Sequence, residues 1–180
     1  MKSSFIALAS LAIILAGCSG EPATPGGGVE MAAGTTGLIA DLGGISRGPV
    51  HTKKKGGTLA LSGFDAVSYF SGAAPVRGSG DYRVRYQGFD YQFANAANAA
   101  IFQDNPLKYA PQYGGYCAWA IAANDALAPG DPQIYKIVEG KLYLKFSEDG
   151  ARRWQADIPG FIVKGNRNYL LHDAGEHYTS

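Results

Sequence analysis

The chain has 180 residues, of which 46% are hydrophobic and 12% aromatic, and its formal net charge is +1. This length and composition predict one globular domain, and they exclude a chain that is disordered throughout or a collagen-like repeat. The 16 basic residues barely outnumber the 15 acidic ones, so a nucleic-acid partner bound through its phosphates is not expected. Two cysteines are too few for a multi-disulfide scaffold or a four-cysteine zinc site.

The N-terminal segment has the features of an export signal. Lys2 provides a positive start, and residues 5–17 form an uncharged, mostly apolar run. A helix needs roughly 20 residues to span a bilayer, so this shorter run fits the apolar region of a signal peptide instead. We therefore expect residues 1–17 to be removed from the mature protein.

The end of that run, Leu15-Ala16-Gly17-Cys18, resembles the lipobox of bacterial lipoproteins. The resemblance implies that Cys18 is diacylated and becomes the first residue of the mature chain, and two acyl chains give a stable bilayer anchor. Ser19 after the cysteine resembles the pattern of lipoproteins on the periplasmic side of the outer membrane. The alternative is an ordinary secretory signal in which the cysteine is incidental.

Residues 18–57 are predicted to be a flexible, lipidated tether. Its first part holds six glycines, two prolines and no aromatic residue between positions 19 and 37. Its last part contains His51 and the run Lys53-Lys54-Lys55, which is typical of a solvated surface and could also contact anionic lipid head groups. At the other end, residues 172–180 are predicted to be a solvated tail.

Residues 58–171 are predicted to form a small single α+β domain with two β-hairpins and several short helices. Aromatic and polar residues alternate on both sides of Gln87-Gly88, which predicts the first hairpin, and a second is predicted around Glu139-Gly140. Helices are expected after four capping or turn-forming positions, namely Asn95, Asn105, Ser147 and, for a short turn ending at Phe70, Asp65. Tyr113-Gly114-Gly115 predicts a sharp bend just before Cys117, and the segment 158–161 is expected to pack back on the sheet.

Three blocks follow one another in the order Leu61–Phe70, Ala110–Ala118 and Asp157–Phe161, and several single positions between them keep a fixed spacing: Tyr86, Gly88, Tyr91, Phe93, Phe102, Pro106 and Tyr109. Together they resemble a secreted bacterial branch of the YHS domain family. The resemblance covers about two-thirds of the mature chain and implies a YHS-like domain with a treble-clef-related frame.

Metal-associated members of that family place thiolates at three positions that fall here on Ser68, Ala94 and Asn98. None of these side chains is a soft ligand, whereas tetrahedral zinc or Cu(I) sites need thiolate or imidazole. The resemblance therefore implies the frame without its usual metal site.

Cys117 is the only thiol left once Cys18 carries lipid. It is either a small buried hydrophobic residue or a group used in redox chemistry or metal binding. Tyr113, Tyr116 and Trp119 flank it and are candidate binding residues, although such aromatic residues more often pack in a core.

A second candidate metal site combines Cys117 with His172 and His177, and thiolate with imidazole favours copper or another transition metal. The two histidines are five positions apart, so they do not form a preformed pair on a helix or a strand. Such a site requires the tail to fold back across the segment 113–119.

The function expected from these observations is that of a membrane-anchored periplasmic lipoprotein whose YHS-like domain binds a transition metal or an envelope protein partner without catalysis. All three histidines lie outside 58–171, and no nucleophile triad, P-loop or dinucleotide-binding motif occurs, so an enzyme is not favoured. The alternatives are a thiol-based redox protein that uses Cys117 and an envelope scaffold.

Overall fold

The computed structural model describes residues 37–178, and Cys18 with the predicted signal peptide lies outside the described residues. The described chain contains strands β1 (Leu38–Asp41), β2 (Ser79–Tyr86), β3 (Phe89–Phe93), β4 (Asp131–Val138) and β5 (Lys141–Lys145). Its α-helices are α1 (Ala96–Asp104), α2 (Pro106–Tyr109), α3 (Ala118–Asn124), α4 (Glu148–Gln155) and α5 (Ile158–Tyr169). This content confirms the predicted α+β class. No helix within the described range has the length and hydrophobicity needed to cross a bilayer.

The first sheet has the order β1-β2-β3. The hairpin of β2 and β3 turns at Gln87 and Gly88, both with positive φ, as the alternating pattern predicted. β1 runs parallel to β2, with Ala40 opposite Val84. This strand was not predicted, because four residues that follow a glycine-rich segment carry too little pattern to identify an edge strand.

The second sheet is the hairpin of β4 and β5, which turns at Glu139 and Gly140 as predicted. β5 is buried on both faces and separates two hydrophobic clusters. Leu142 and Leu144 pack with the first sheet and α1, whereas Tyr143 packs with Trp154 and the residues around α3. Alternate side chains of one short strand therefore hold the two halves of the core together.

The predicted helix starts are confirmed by their hydrogen bonds. The side-chain oxygens of Asn95, Asn105 and Ser147 accept from the backbone N–H groups three positions further on, at 2.8, 3.2 and 3.2 Å. Asp157 does the same for Gly160 at 3.0 Å. The segment that it caps is the 12-residue helix α5, which is longer than the short packing segment expected at 158–161.

The N-terminal boundary of the domain differs from the predicted one. Residues 38–52 were assigned to the tether, but the structure folds them into the domain: β1 joins the first sheet, and the stretch from Gly48 to Thr52 is buried. The Pro49 carbonyl accepts from the Tyr169 hydroxyl at 3.0 Å, and the His51 N–H donates to the Gly114 carbonyl at 2.9 Å. The buried side chains of Pro49 and Val50 order this stretch together with these hydrogen bonds. Its partners are distant in the sequence, which is why its composition alone resembled a tether.

Candidate functional site

Ser68, Ala94 and Asn98 surround one buried carboxylate, that of Asp65. These are the three positions at which the YHS-type pattern of the sequence analysis would place metal-binding thiolates. One oxygen accepts from the N–H groups of Val67 and Ser68, at 2.9 and 3.3 Å. The other accepts from the Ala94 N–H at 2.9 Å and from the Asn98 side-chain amide at 2.6 Å. The carboxylate thus connects the turn after it with the end of β3 and the first turn of α1.

Asp65 has no exposed surface, and no cation pairs with it among residues 37–178. Four N–H donors stabilise its charge instead, and they occupy the lone pairs that a metal ion would need. Within residues 37–178, no Cys or His side chain forms a hydrogen bond or ion pair with it. The residues at Ser68, Ala94 and Asn98 therefore do not fit a soft-metal site, and Asp65 has a structural role there.

Cys117 lies directly before α3 and is fully buried. Its N–H donates to the Ala128 carbonyl at 2.9 Å, and its backbone bridges Leu144 of β5. The thiol points toward Gly150 in α4, where an added Cβ would lie 4.0 Å from the sulfur. The sharp bend predicted before it is present, with positive φ at Tyr113, Gly114 and Gly115.

Lys145 is the unexpected neighbour of this thiol. Only 1% of the residue is exposed; its ammonium donates to the Tyr143 carbonyl at 3.1 Å and lies 4.0 Å from the centre of the Trp154 ring. Burial lowers the Lys145 pKa to about 7, and the nearby Cys117 opposes that shift. An amine that is partly neutral near physiological pH can take a proton from a thiol or return one to it.

Lys145 was missed because a lysine at a strand end normally points to solvent. Alternation within β5 could have indicated its burial. Lys145 lies on the same face of the strand as the buried Tyr143, and the residues on the opposite face are buried as well.

The flanking aromatic residues have mainly packing roles. Tyr113 is buried, and its hydroxyl contacts the Ile162 carbonyl and the Asn166 side chain of α5 at 3.2 and 3.1 Å. Tyr116 is fully buried, whereas Trp119 is partly exposed beneath the Arg153 guanidinium. Tyr113 also lines the edge of a surface groove.

The candidate metal ligands contact different parts of the fold. His172 lies against Glu176 and Asp125, at 2.8 and 3.3 Å, while His177 contacts the Thr52 carbonyl at 2.9 Å. Within residues 37–178, no group of three or more His, Cys, Asp or Glu side chains is placed to hold a metal ion. Copper binding by Cys117 with these histidines stays a prediction.

The C-terminal residues pack on the domain, although they were predicted to be a solvated tail. His177 and Tyr178 lie beside His51, with ring centroids 6.5 and 5.5 Å away, and His51 meets the edge of Tyr116 at 5.4 Å. His51 is therefore buried, which corrects its assignment to the solvated tether. Burial and the nearby His177 and Lys53 lower the His51 pKa to about 4.

A groove with an apolar wall lies where the β2–β3 turn, α2 and the end of α5 meet the segment before Gly48. Two overlapping cavities of about 300 and 470 Å³ share the same lining: Ser46, Arg47, Tyr86, Gln87, Leu107 and Tyr169. Leu107 is 75% exposed, and Leu170 at the same groove is 64% exposed. Arg47 forms no ion pair with another described residue.

Among the described residues, the lining of the groove offers apolar surface and one cation, Arg47, and includes no histidine, carboxylate or thiol. The buried Cys117 and Lys145 do not line the groove.

Comparisons with protein-family models, with curated proteins and with solved structures found no match to this chain.

Proposed function

We propose that the chain is a periplasmic lipoprotein, anchored in the outer membrane through Cys18, whose YHS-like domain binds a ligand without catalysis. The lipobox supports the anchor. The observation that carries the binding role is the groove between Tyr86, Leu107 and Tyr169, which leaves two leucine side chains largely exposed to water. Exposed apolar surface that is concave and bordered by polar groups is typical of a binding site.

The chemistry of the groove specifies the ligand class. Leu107 and Tyr86 favour an apolar body, while the guanidinium of Arg47 favours a carboxylate, with which it can form two parallel hydrogen bonds. The ligand is therefore an apolar carboxylate. An envelope protein partner that inserts an apolar side chain beside an acidic one satisfies the same groove.

Titration calorimetry with decanoate tests this role, with decanol as the uncharged comparison. We expect decanoate to bind more tightly than decanol, and we expect Arg47→Gln to remove that difference. Leu107→Gln should weaken both ligands about tenfold, which corresponds to about 1.4 kcal/mol. The matched control is Val163→Gln, because Val163 is 70% exposed on α5 but does not line the groove. Equal affinities of all variants would contradict the proposal.

Mass spectrometry of the membrane fraction tests the anchor. The expected mature chain begins at an acylated Cys18, and Cys18→Ala should move the protein out of the membrane fraction. A soluble mature chain that begins elsewhere would contradict the lipoprotein assignment.

Thiol chemistry at Cys117 is a second candidate function, and the buried Lys145 favours it. A neighbouring amine can assist thiolate formation during a transient opening of the site. Labelling of the native protein with a thiol reagent distinguishes the two roles. Reaction that is much faster than global unfolding supports a redox role, whereas protection until unfolding identifies Cys117 as a core residue.

A further inference from the structure

A second face of the domain combines basic side chains with exposed apolar ones. Two neighbouring clefts there share Lys53 and Ser62 in their walls. Lys54 and Leu59 line one cleft, and the other is lined by basic and aromatic residues that include Phe64, Arg77 and Phe146. We call this surface, with the adjoining Lys55, the basic face.

The basic charges of this face are not neutralised within the described chain. Lys53, Lys54 and Lys55 are exposed, and no described acidic side chain forms an ion pair with them. Arg77 donates to the Ser62 carbonyl at 3.2 Å and lies 4.6 Å from the centre of the Phe64 ring. These contacts hold its guanidinium in place without cancelling its charge.

One carboxylate, that of Asp131, also borders the basic face. It accepts from the Gln133 N–H at 2.8 Å, which fixes it in the turn at the start of β4. Four basic side chains against one acidic side chain leave the face positive, although the chain as a whole is almost neutral.

Apolar side chains project from the same region. Phe146 is 58% exposed, and Leu59 is 37% exposed. Basic residues interspersed with an exposed aromatic and aliphatic residues are typical of a surface that lies at the interface of a bilayer.

The described chain begins beside β2, the strand that follows Arg77 in the sequence. Gly37, the first described residue, accepts a hydrogen bond of 2.7 Å from the Arg83 N–H of β2, and β2 begins two residues after Arg77. Cys18 is only 19 positions earlier, and a chain of that length spans at most about 65 Å. A bilayer that holds Cys18 is therefore within reach of the basic face.

We propose that the basic face docks on an anionic phospholipid surface, with Lys53, Lys54, Lys55 and Arg77 at the phosphate groups and Phe146 in the interface. The choice of a membrane as the partner rests on the proposed lipid anchor. The docked domain then presents a fixed orientation to the periplasm instead of any orientation that its connection to Cys18 permits.

The test uses residues 18–180 with Cys18→Ala, so that acylation makes no contribution. Sedimentation with vesicles of phosphatidylcholine alone, or with 30% phosphatidylglycerol, measures binding at low salt and in 0.5 M NaCl. We expect binding only to the anionic vesicles and its loss in high salt, because screening weakens attraction between exposed charges. Phe146→Ser should weaken binding several-fold.

The matched variants remove the same charge from different places. Lys53→Gln/Lys54→Gln/Lys55→Gln should weaken binding at least tenfold. Lys108→Gln/Lys141→Gln/Lys164→Gln should change it less than twofold, because these lysines line neither cleft. Thermal unfolding of each variant establishes that it is folded. Equal binding to both kinds of vesicle, or equal losses in the two triple variants, would overturn the proposal while leaving the acylation of Cys18 to its own test.

Discussion

The side-chain amide of Asn98 donates a hydrogen bond of 2.6 Å to the carboxylate of Asp65, 33 positions away in the sequence. This bond joins the first turn of α1 to the loop before β2. Because Asp65 is completely buried and accepts three further N–H groups, its carboxylate organises the region where the turn before β2, the end of β3 and the start of α1 meet.

Replacing the carboxylate by its isosteric amide should destabilise the domain strongly. In Asp65→Asn an amide NH₂ would face N–H donors, so we expect a loss of about 3 kcal/mol in the free energy of unfolding. Asp157→Asn is the matched control, since Asp157 caps α5 at the exposed surface and should lose no more than about 1 kcal/mol. Urea denaturation measures both. Equal losses of unfolding free energy in the two variants would show that the burial of the Asp65 carboxylate among four N–H donors does not matter.

Removal of metal ions should leave the fold intact. Four N–H donors satisfy the Asp65 carboxylate, and the side chains of Ser68 and Asn98 offer no soft metal ligand, so we expect the described elements to fold without a metal. We expect the same thermal midpoint before and after treatment with EDTA. A midpoint that falls on chelation and returns with copper or zinc would contradict this prediction and revive the metal hypothesis.

The bend before Cys117 should depend on Gly114. A Cβ at this position would collide with the Pro49 carbonyl, and its φ of +59° is unfavourable for other residues. Gly114→Ala should therefore cost about 3 kcal/mol or more, because the stretch from Gly48 to Thr52 must move. In Gly140→Ala the φ is also positive, at +71°, but nothing lies within 4 Å of the added Cβ. That control should cost about 1 kcal/mol, as measured by the same denaturation experiment.

The parts of the fold that could be predicted are those set by local chemistry. Alternating residues predicted the first hairpin and the Glu139-Gly140 turn predicted the second. Asn95, Asn105 and Ser147 identified helix starts, because each accepts from an N–H group three residues away. β1 and the stretch from Gly48 to Thr52 could not be predicted, because their partners, β2 and the bend at Gly114, are distant in sequence.

The same distinction applies to the candidate site. Cys117 was identified by its residue type alone, whereas its neighbour Lys145 depends on how β5 is buried between two clusters. The groove at Arg47 and Leu107 joins segments that are 60 positions apart, so no local pattern indicates it. Asp65 was recognised only as a turn residue, because its contacts with Ala94 and Asn98 are tertiary.

Replacing the buried ammonium by an apolar group should stabilise the protein near neutral pH. The Lys145 pKa is lowered to about 7 in the folded state and is 10.5 in the unfolded state, so the unfolded state binds more protons between these values. The wild type should gain stability as the pH rises from 7 toward 9.5. Lys145→Met should be about 3 kcal/mol more stable at pH 7 and should lose this pH dependence.

Lys141→Met is the matched control for that experiment, because Lys141 is exposed at the other end of β5. It should leave both the stability at pH 7 and its pH dependence unchanged. Chemical denaturation at pH 7, 8, 9 and 9.5 measures the difference. A Lys145→Met protein that is no more stable than the wild type would show that its contacts with Tyr143 and Trp154 outweigh desolvation.

The buried His51 should make the packing of the C-terminal residues sensitive to acid. Its pKa is about 4 in the folded state against 6.5 in the unfolded state, so the stability that it contributes is complete above pH 6.5 and is lost as the pH falls to 4. The loss over this interval is about 3 kcal/mol from His51 alone, since each pKa unit corresponds to 1.36 kcal/mol.

The variant His51→Phe tests this prediction, because it keeps the edge contact with Tyr116 but cannot be protonated. We therefore expect its free energy of unfolding to fall less steeply from pH 6.5 to 4, and the ring resonances of Tyr178 to keep their positions down to a lower pH than in the wild type. Parallel pH profiles of the two proteins would contradict the assignment, because carboxylate titration is common to both and cancels in the comparison.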